Sequence, residues 1–309
     1  MEKLIWKDLH REKLLIILAE FDNNKIINKM KIYPIIAENW KMDGGVAFGV
    51  VPKTIWKKLL QPDENNMVKI TTRCLLVEDG NKLILFDVGM GRKQNDKYYS
   101  FRYLFGEDNL KDNLSKVGYS FDDITDIVFT HLHDDHCGGA TILNVGGESE
   151  IVFKNATFHV SKEHWNWANS PNKREIGSFF QHNLRPLADS GRLKLIEKAG
   201  HFTNNIELRL VNGHTQGQLY PLINYNGQTL VFMGDFIPLA ANIPLPFIPS
   251  VDVQPLLTLK EKETFLNEAA DKGSFLIFEH DYNIECCTVK KTEKGVRLDK
   301  SFKLNQILS

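Results

Sequence analysis

Thr130-His-Leu-His-Asp-Asp-His-Cys-Gly-Gly139 follows directly on the apolar run Ile124-Thr-Asp-Ile-Val-Phe129. Between His131 and His136 it packs five side chains able to bind a metal into six positions. The run before it reads as a buried strand. Alternation along an extended chain puts His131 and His133 on one side of the backbone, and Asp135 and His136 follow as the chain turns. Two directions of approach suit two metal ions. Zinc and similar ions accept imidazole nitrogen and carboxylate oxygen, and a close pair can hold a hydroxide for hydrolysis.

A histidine-rich tract alone binds metal loosely on many surfaces. Three later segments add to this one. Gly213-His-Thr-Gln-Gly217 presents His214 between glycines after the alternating run Ile206-Glu-Leu-Arg-Leu-Val211. Thr229-Leu-Val-Phe-Met-Gly-Asp235 ends a short apolar strand on a carboxylate, and Phe275-Leu-Ile-Phe-Glu-His-Asp281 ends another with His280. Each of these donors is expected at the end of a strand.

The order His-x-His-x-Asp-His, single His, single Asp, final His resembles the metallo-β-lactamase superfamily. The resemblance runs from about Met30 to about Lys290 and includes Gly44-Gly45 and Leu85-Phe-Asp-Val-Gly-Met-Gly91. It implies an α/β (α+β) fold, an αββα sandwich of two β-sheets flanked by helices, with the metal site at one edge. It also implies that His131, His133 and His214 hold one metal, that Asp135, His136 and His280 hold the other, and that Asp235 bridges them. The cofactors would be two divalent metal ions, zinc first, with iron, manganese or cobalt as alternatives because the same ligands suit them. A hydroxide between the ions would be the nucleophile, with Asp135 and Asp235 assisting proton movement as the catalytic carboxylates. Asp87 is expected to orient a ligand histidine.

The segments Asp43-Gly-Gly-Val-Ala-Phe-Gly-Val-Val-Pro52 and Phe278-Glu-His-Asp281 are similar to the branch containing N-acyl homoserine lactone lactonases and methyl parathion hydrolase-like proteins. Lactonases of that branch place a tyrosine three residues beyond the bridging aspartate, where this chain has Pro238. Whether Tyr220 or Tyr282 takes that place is left open by the sequence. The apolar stretch after Asp235, residues 236–249, either lines a greasy wall or buries itself, and His164-Trp-Asn-Trp167 with Phe179-Phe180 is a candidate aromatic lid. No Arg/Lys cluster in the segment suits a phosphate-rich substrate. A metal-dependent hydrolase of a neutral, partly apolar ester, lactone or phosphotriester is the resulting expectation. The alternatives are a thioester hydrolase of the glyoxalase type and a non-catalytic metal-binding sensor or scaffold. Loss of a ligand would mark the latter, and all seven expected groups are present.

Other polar residues read more simply. His159, His164, His182 and His201 are expected off the site, as surface or hydrogen-bonded residues. Asp134 is expected to face solvent or to support a ligand from behind, and Cys137 to be a small packing residue.

The chain has 309 residues, 42% hydrophobic and 25% charged, as an ordinary globular protein does. Lys and Arg total 38 against 39 Asp and Glu, a balance that gives no broad attraction for nucleic acid or anionic lipid. A small-molecule substrate is expected, with no nucleic acid and no membrane as partner, and a homodimer is compatible with the composition. Cys74, Cys137, Cys286 and Cys287 are too few and too irregular for a disulfide framework, so a reducing, cytoplasmic setting is expected.

Residues 1–29 read as an N-terminal extension, helical or loosely ordered, with an amphipathic stretch over 2–22 and a break at Asn23-Asn24. Its apolar run, Leu14-Leu-Ile-Ile-Leu-Ala19, is too short for a secretory core or a membrane span. The hydrolase-like domain is expected over 30–309. Strands are predicted at 68–78, 82–87, 124–130, 157–160, 206–211, 219–225, 229–233 and 274–279. Helices are predicted at 53–60, 110–117, 162–169, 179–185 and 259–272.

Overall fold

The computed structural model of the protein describes residues 30–308, so the expected N-terminal extension over 1–29 lies outside the described residues. One sheet contains β1 (Lys31–Asp43), β2 (Met67–Asp79), β3 (Lys82–Phe86), β4 (Asp126–Val128), β7 (Thr157–Ser161) and β8 (Leu193–Ile196), in that spatial order. Strands β1 to β3 pair antiparallel, and β3, β4, β7 and β8 pair parallel. A small hairpin of β5 (Thr141–Leu143) and β6 (Ser149–Ile151) stands apart. The second sheet contains β9 (Gly200–His201), β10 (Ile206–Val211), β11 (Gln218–Tyr225), β12 (Gln228–Phe232), β13 (Phe275–Ile277), β14 (Cys286–Thr292) and β15 (Gly295–Phe302), ordered from β15 to β9. Only β12 and β13 pair parallel in it.

Period-two alternation explains why the strand sequences are apolar on both faces. On β2, Leu75 and Val77 point between the sheets, where they meet Phe86, Val128, Ile223, Phe232 and Ile277. Cys74 and Leu76 point outward, beneath Leu114, Ala168, Leu184 and Leu187 of the helices Leu110–Lys116, Lys162–Asn169 and Gln181–Asp189. The outer face of the second sheet is covered by Phe265, Leu266 and Ala269 of the helix Pro255–Lys272. Burying one such side chain contributes about 1.5–3 kcal/mol, so each apolar layer holds its helix in place. The result is the expected αββα sandwich.

Element bounds depart from expectation in instructive places. The helix predicted from 259 starts at Pro255, because a proline in the first turn gives up no intrahelical bond. The helix predicted to stop at 185 runs through Pro186 to Asp189, held by Leu184 and Leu187 in the core. The helix expected over 53–60 is confined to Lys53–Trp56. Strand β1, which is not among the predicted strands, runs from Lys31 to Asp43 with a register shift between Ile36 and Glu38.

Candidate metal centre

Every candidate donor leaves the carboxyl end of a strand at one edge of the sandwich. Asp87 follows β3, His131 to His136 follow β4, His214 follows β10, Asp235 follows β12 and His280 follows β13. Two of these exits need unusual backbone. Gly234 has φ +48°, and Asp87 has φ +56°, a left-handed conformation that Asp tolerates better than most residues. Close packing sets another: a Cβ on Gly139 would lie 2.0 Å from the Val88 carbonyl oxygen. The Asp134–Cys137 helix is thereby seated against the loop that carries Asp87.

The seven expected donors come together as two groups, one of His131, His133, His214 and Asp235, the other of Asp135, His136 and His280. In the first, His131 Nε2 lies 3.0 Å from His133 Nδ1, which lies 3.2 Å from His214 Nε2. In the second, His136 Nε2 and His280 Nε2 are 3.2 Å apart, and Asp135 is 3.8 Å from each. Asp235 stands between them, with Oδ2 3.2 Å from His214 Nε2 and Oδ1 2.9 Å from His280 Nε2.

Hydrogen bonds on the far sides of the rings fix which nitrogen faces inward. His131 Nδ1 meets Thr130 Oγ1 at 3.0 Å, His214 Nδ1 meets Asp252 Oδ1 at 2.9 Å, and His280 Nδ1 meets the Thr71 carbonyl at 2.8 Å. His136 Nδ1 lies 3.1 Å from Asp87 Oδ2 and 3.3 Å from Glu279 Oε2. His133 is turned the other way, with Nε2 3.2 Å from Glu175 Oε1, so its Nδ1 faces the cluster. Each acceptor takes the ring N–H and leaves an inward lone pair. Lone pairs 3.0 to 3.2 Å apart repel unless a cation lies between them. A tetrahedral zinc with bonds of about 2.0–2.1 Å spaces its ligand atoms about 3.3 Å apart, which these separations match. Asp235 Oδ1, buried and without a hydrogen bond, supplies a further free donor atom. The residues therefore fit a pair of divalent cations.

The electrostatics favour cations as well. Burial opposes charge on Asp235, yet His280, His136 and His214 hold its carboxyl well below the ordinary range. Against burial, Asp235 and Glu279 raise His280 to about 9. Burial pushes His131 well below its ordinary value, and the neighbouring His136 and His133 push the same way. Burial, with Asp87 adding to it, raises Glu279 to about 8.

The remaining expectations divide. Asp87 does orient a candidate ligand, and it also accepts the Thr130 N–H at 2.7 Å and hydroxyl at 2.6 Å. Cys137 is a buried packing residue. Asp134 does not face solvent: it is buried, bonded to the Tyr98 hydroxyl and paired with Arg102 at 2.9 Å. His159 pairs with Asp126, His182 meets Gln94, and His201 is exposed. His164 is buried below the centre and accepts the Leu132 N–H at 2.8 Å, which shapes the loop between two donors. Sequence reasoning missed Asp252, Glu175 and Glu279. Only Glu279 carried a signal, its place beside His280.

A cavity of about 640 Å³ opens over the donors and is lined by His133, Asp135, His214 and Asp235 together with Arg102, Tyr103 and Arg174. Neither candidate tyrosine lines it. Tyr220 is buried against Phe236 and Phe265, and Tyr282 packs on Phe105 beside a separate pocket. Of the stretch 236–249, Phe236 and Ile237 turn into the outer core, while Pro238, Leu239 and Pro249 line a small apolar recess with Met42, Ala47 and Ile70 against His214, Asp235 and His280. Both readings of that segment are thus realised in different residues. Phe179 packs on His133 at 4.9 Å between ring centroids, and Trp167 donates to Glu175 at 2.7 Å. A larger groove of about 1060 Å³ beside the helix Gln181–Asp189 contains none of the clustered donors.

Residues 70–280 match the model of the metallo-β-lactamase superfamily, and the chain belongs to that superfamily. No curated protein matches the chain. Among solved structures, a probable metal-dependent hydrolase from Staphylococcus aureus is similar at 27% identity, over 89% of this chain and 96% of that one, with a TM-score of 0.81. AidC, described as a dizinc quorum-quenching lactonase, is 22% identical over 89% and 95% of the two chains, with a TM-score of 0.73. An N-acyl homoserine lactone hydrolase is 20% identical over 82% and 93%, with a TM-score of 0.63. These last two likenesses show the fold. Family, fold and donor clusters together support a metal-dependent hydrolase. Among the described residues, no helix is long and apolar enough to cross a membrane.

Proposed function

We propose that residues 30–309 form a dinuclear metal-dependent hydrolase that cleaves a neutral, partly apolar ester, lactone or phosphotriester. The observation that carries this reading is Asp235, whose carboxylate reaches both donor groups, with Oδ2 3.2 Å from His214 Nε2 and 3.5 Å from His136 Nε2 and Oδ1 2.9 Å from His280 Nε2. His131, His133 and His214 would hold one divalent cation, Asp135, His136 and His280 the other, with zinc the first candidate. When bound, such a pair supplies a water acidified toward neutrality and a Lewis acid for the substrate oxygen.

The chain's own residues do the rest. Glu175, Asp252, Asp87, Thr130 and the Thr71 carbonyl hold the five imidazoles in one orientation each, so no reorganisation is needed when substrate arrives. Asp135, partly open to the cavity, and Asp235 are the carboxylates placed to carry a proton toward the leaving group. Met42, Ala47, Leu239 and Pro249 offer an apolar seat for one substituent. Of the three cationic side chains lining the cavity among the described residues, Lys41 and Arg102 are paired with Asp63 and Asp134, which leaves one, Arg174, too few for a polyphosphate.

A panel of lactones, aryl esters, phosphotriesters and thioesters, run with zinc-loaded and chelator-stripped protein, tests the reading. Metal-dependent turnover of a lactone, carboxylic ester or phosphotriester is expected. Turnover confined to thioesters, or surviving complete metal removal, contradicts it.

A further inference from the structure

Charged residues lining the cavity are almost all committed to one another. Lys41 pairs with Asp63 at 2.8 Å and Arg102 with Asp134 at 2.9 Å. Asp43 caps the helix Gly44–Phe48 through the Gly45 N–H at 2.7 Å. Glu175 accepts from Trp167 and from Asn172, at 2.7 and 2.8 Å, besides meeting His133. Arg174 is different. It is exposed at the mouth, its Nη2 donates to the Ser250 carbonyl, and among the described residues it pairs with no carboxylate. A guanidinium carries five N–H donors, so most of this fork remains free. Its backbone and its carbonyl acceptor both lie next to residues that orient candidate ligands. Arg174 immediately precedes Glu175, which orients His133, and Ser250 lies two residues before Asp252, which orients His214. The same cavity is also lined by the exposed side chains of Phe101, Tyr103 and Val251, at 67%, 48% and 42%.

We propose that Arg174 is a specificity-determining residue that binds a carboxylate on the substrate, remote from the bond that is cleaved. The proposed hydrolysis is kept, but the wholly neutral substrate is replaced by an ester or lactone whose reacting group is neutral and whose far end carries one carboxylate. This rests on the hydrolase reading for the reaction, but the binding of a remote carboxylate can be measured without turnover. An arginine fork suits a carboxylate better than a lysine would, because two parallel N–H groups meet two oxygens.

The test is calorimetric, on zinc-loaded full-length protein. Glutarate, adipate and pimelate are compared with monocarboxylates of the same chain length, so that one carboxylate is common to each pair and the second reports on Arg174. The wild type is expected to prefer one dicarboxylate over its monocarboxylate by about tenfold, with the preference weakening in salt. Arg174→Gln should abolish that preference, and Arg174→Lys should restore part of it. Equal affinities within every pair overturn the proposal. So does an Arg174→Gln variant that weakens both acids equally, since the residue then only ties its loop to Ser250. If the preference is present and is lost in Arg174→Gln while neither the panel nor esters and lactones bearing a remote carboxylate are hydrolysed, Arg174 keeps its role and the hydrolase reading falls instead.

Discussion

Asp252 Oδ1 lies 2.9 Å from Nδ1 of His214, and its other oxygen accepts the Thr258 hydroxyl at 2.7 Å. A buried carboxylate thereby turns His214 Nε2 toward Asp235 and ties it to the first turns of the helix Pro255–Lys272. Carboxylates in this position raise the basicity of a ligand histidine and fix its tautomer. Asp252→Ala is expected to lower metal affinity by about 10- to 100-fold while the fold persists. Competition with a chromophoric chelator reads this directly, and an unchanged affinity would show that His214 needs no such partner.

Gly139 is a packing requirement of the centre. Since an added Cβ would meet the Val88 carbonyl at 2.0 Å, Gly139→Ala must push the Asp134–Cys137 helix away from the loop bearing Asp87. The expected cost is about 1–3 kcal/mol of stability, with reduced metal content. Urea unfolding and elemental analysis of the purified variant check both parts.

Lys262 is buried, and its ammonium donates to the carbonyls of Asn242, Pro244 and Phe247 at 2.7, 3.0 and 3.1 Å. It thereby gathers the loop that follows Asp235. Lys262→Met leaves the Asn242 carbonyl without a donor, while the Phe247 N–H still serves Pro244 and the Asn242 amide still serves Phe247, and it should destabilise the protein by about 1–3 kcal/mol. A shift of less than about 0.5 kcal/mol in denaturant unfolding would mean that the loop is held by its apolar contacts alone.

Asp126 governs part of the acid limb of stability. Burial opposes its charge, but His159, Lys82 and Thr125 bring it from 3.8 down to about 2. A lowered carboxyl stabilises the fold fully above its unfolded value, and that contribution is lost as pH falls through the folded one. Unfolding midpoints should therefore drop between about pH 4 and pH 2, and Asp126→Asn should be less stable at neutral pH with a flatter curve in that window. A parallel curve for the variant would contradict the assignment.

The centre was legible because its spacing is local. His131, His133 and His136 lie within six residues after one strand and each later donor ends an apolar run, while their meeting at one edge of the sandwich was what the family resemblance implied. Their supports were not legible. Asp252 is 38 residues from His214 and Glu175 is 42 from His133, and both come from irregular loops with no periodicity to read. The places of Tyr220 and Tyr282 were not legible for the same reason: alternation gives the face of a strand, not what the next layer places over it. Strands β14 and β15 escaped notice because their exposed lysines and acids break the apolar pattern of the buried strands. In β1 the register shift between Ile36 and Glu38 interrupts the alternation that marks a strand.

Metal stoichiometry of the wild type and of Asp235→Ala, by elemental mass spectrometry after zinc reconstitution and gel filtration, tests the shared centre most directly. The account predicts two zinc ions per wild-type chain and loss of at least one, together with hydrolysis, in Asp235→Ala. A wild type that holds no more than one ion, or a variant that keeps two at undiminished affinity, would contradict it.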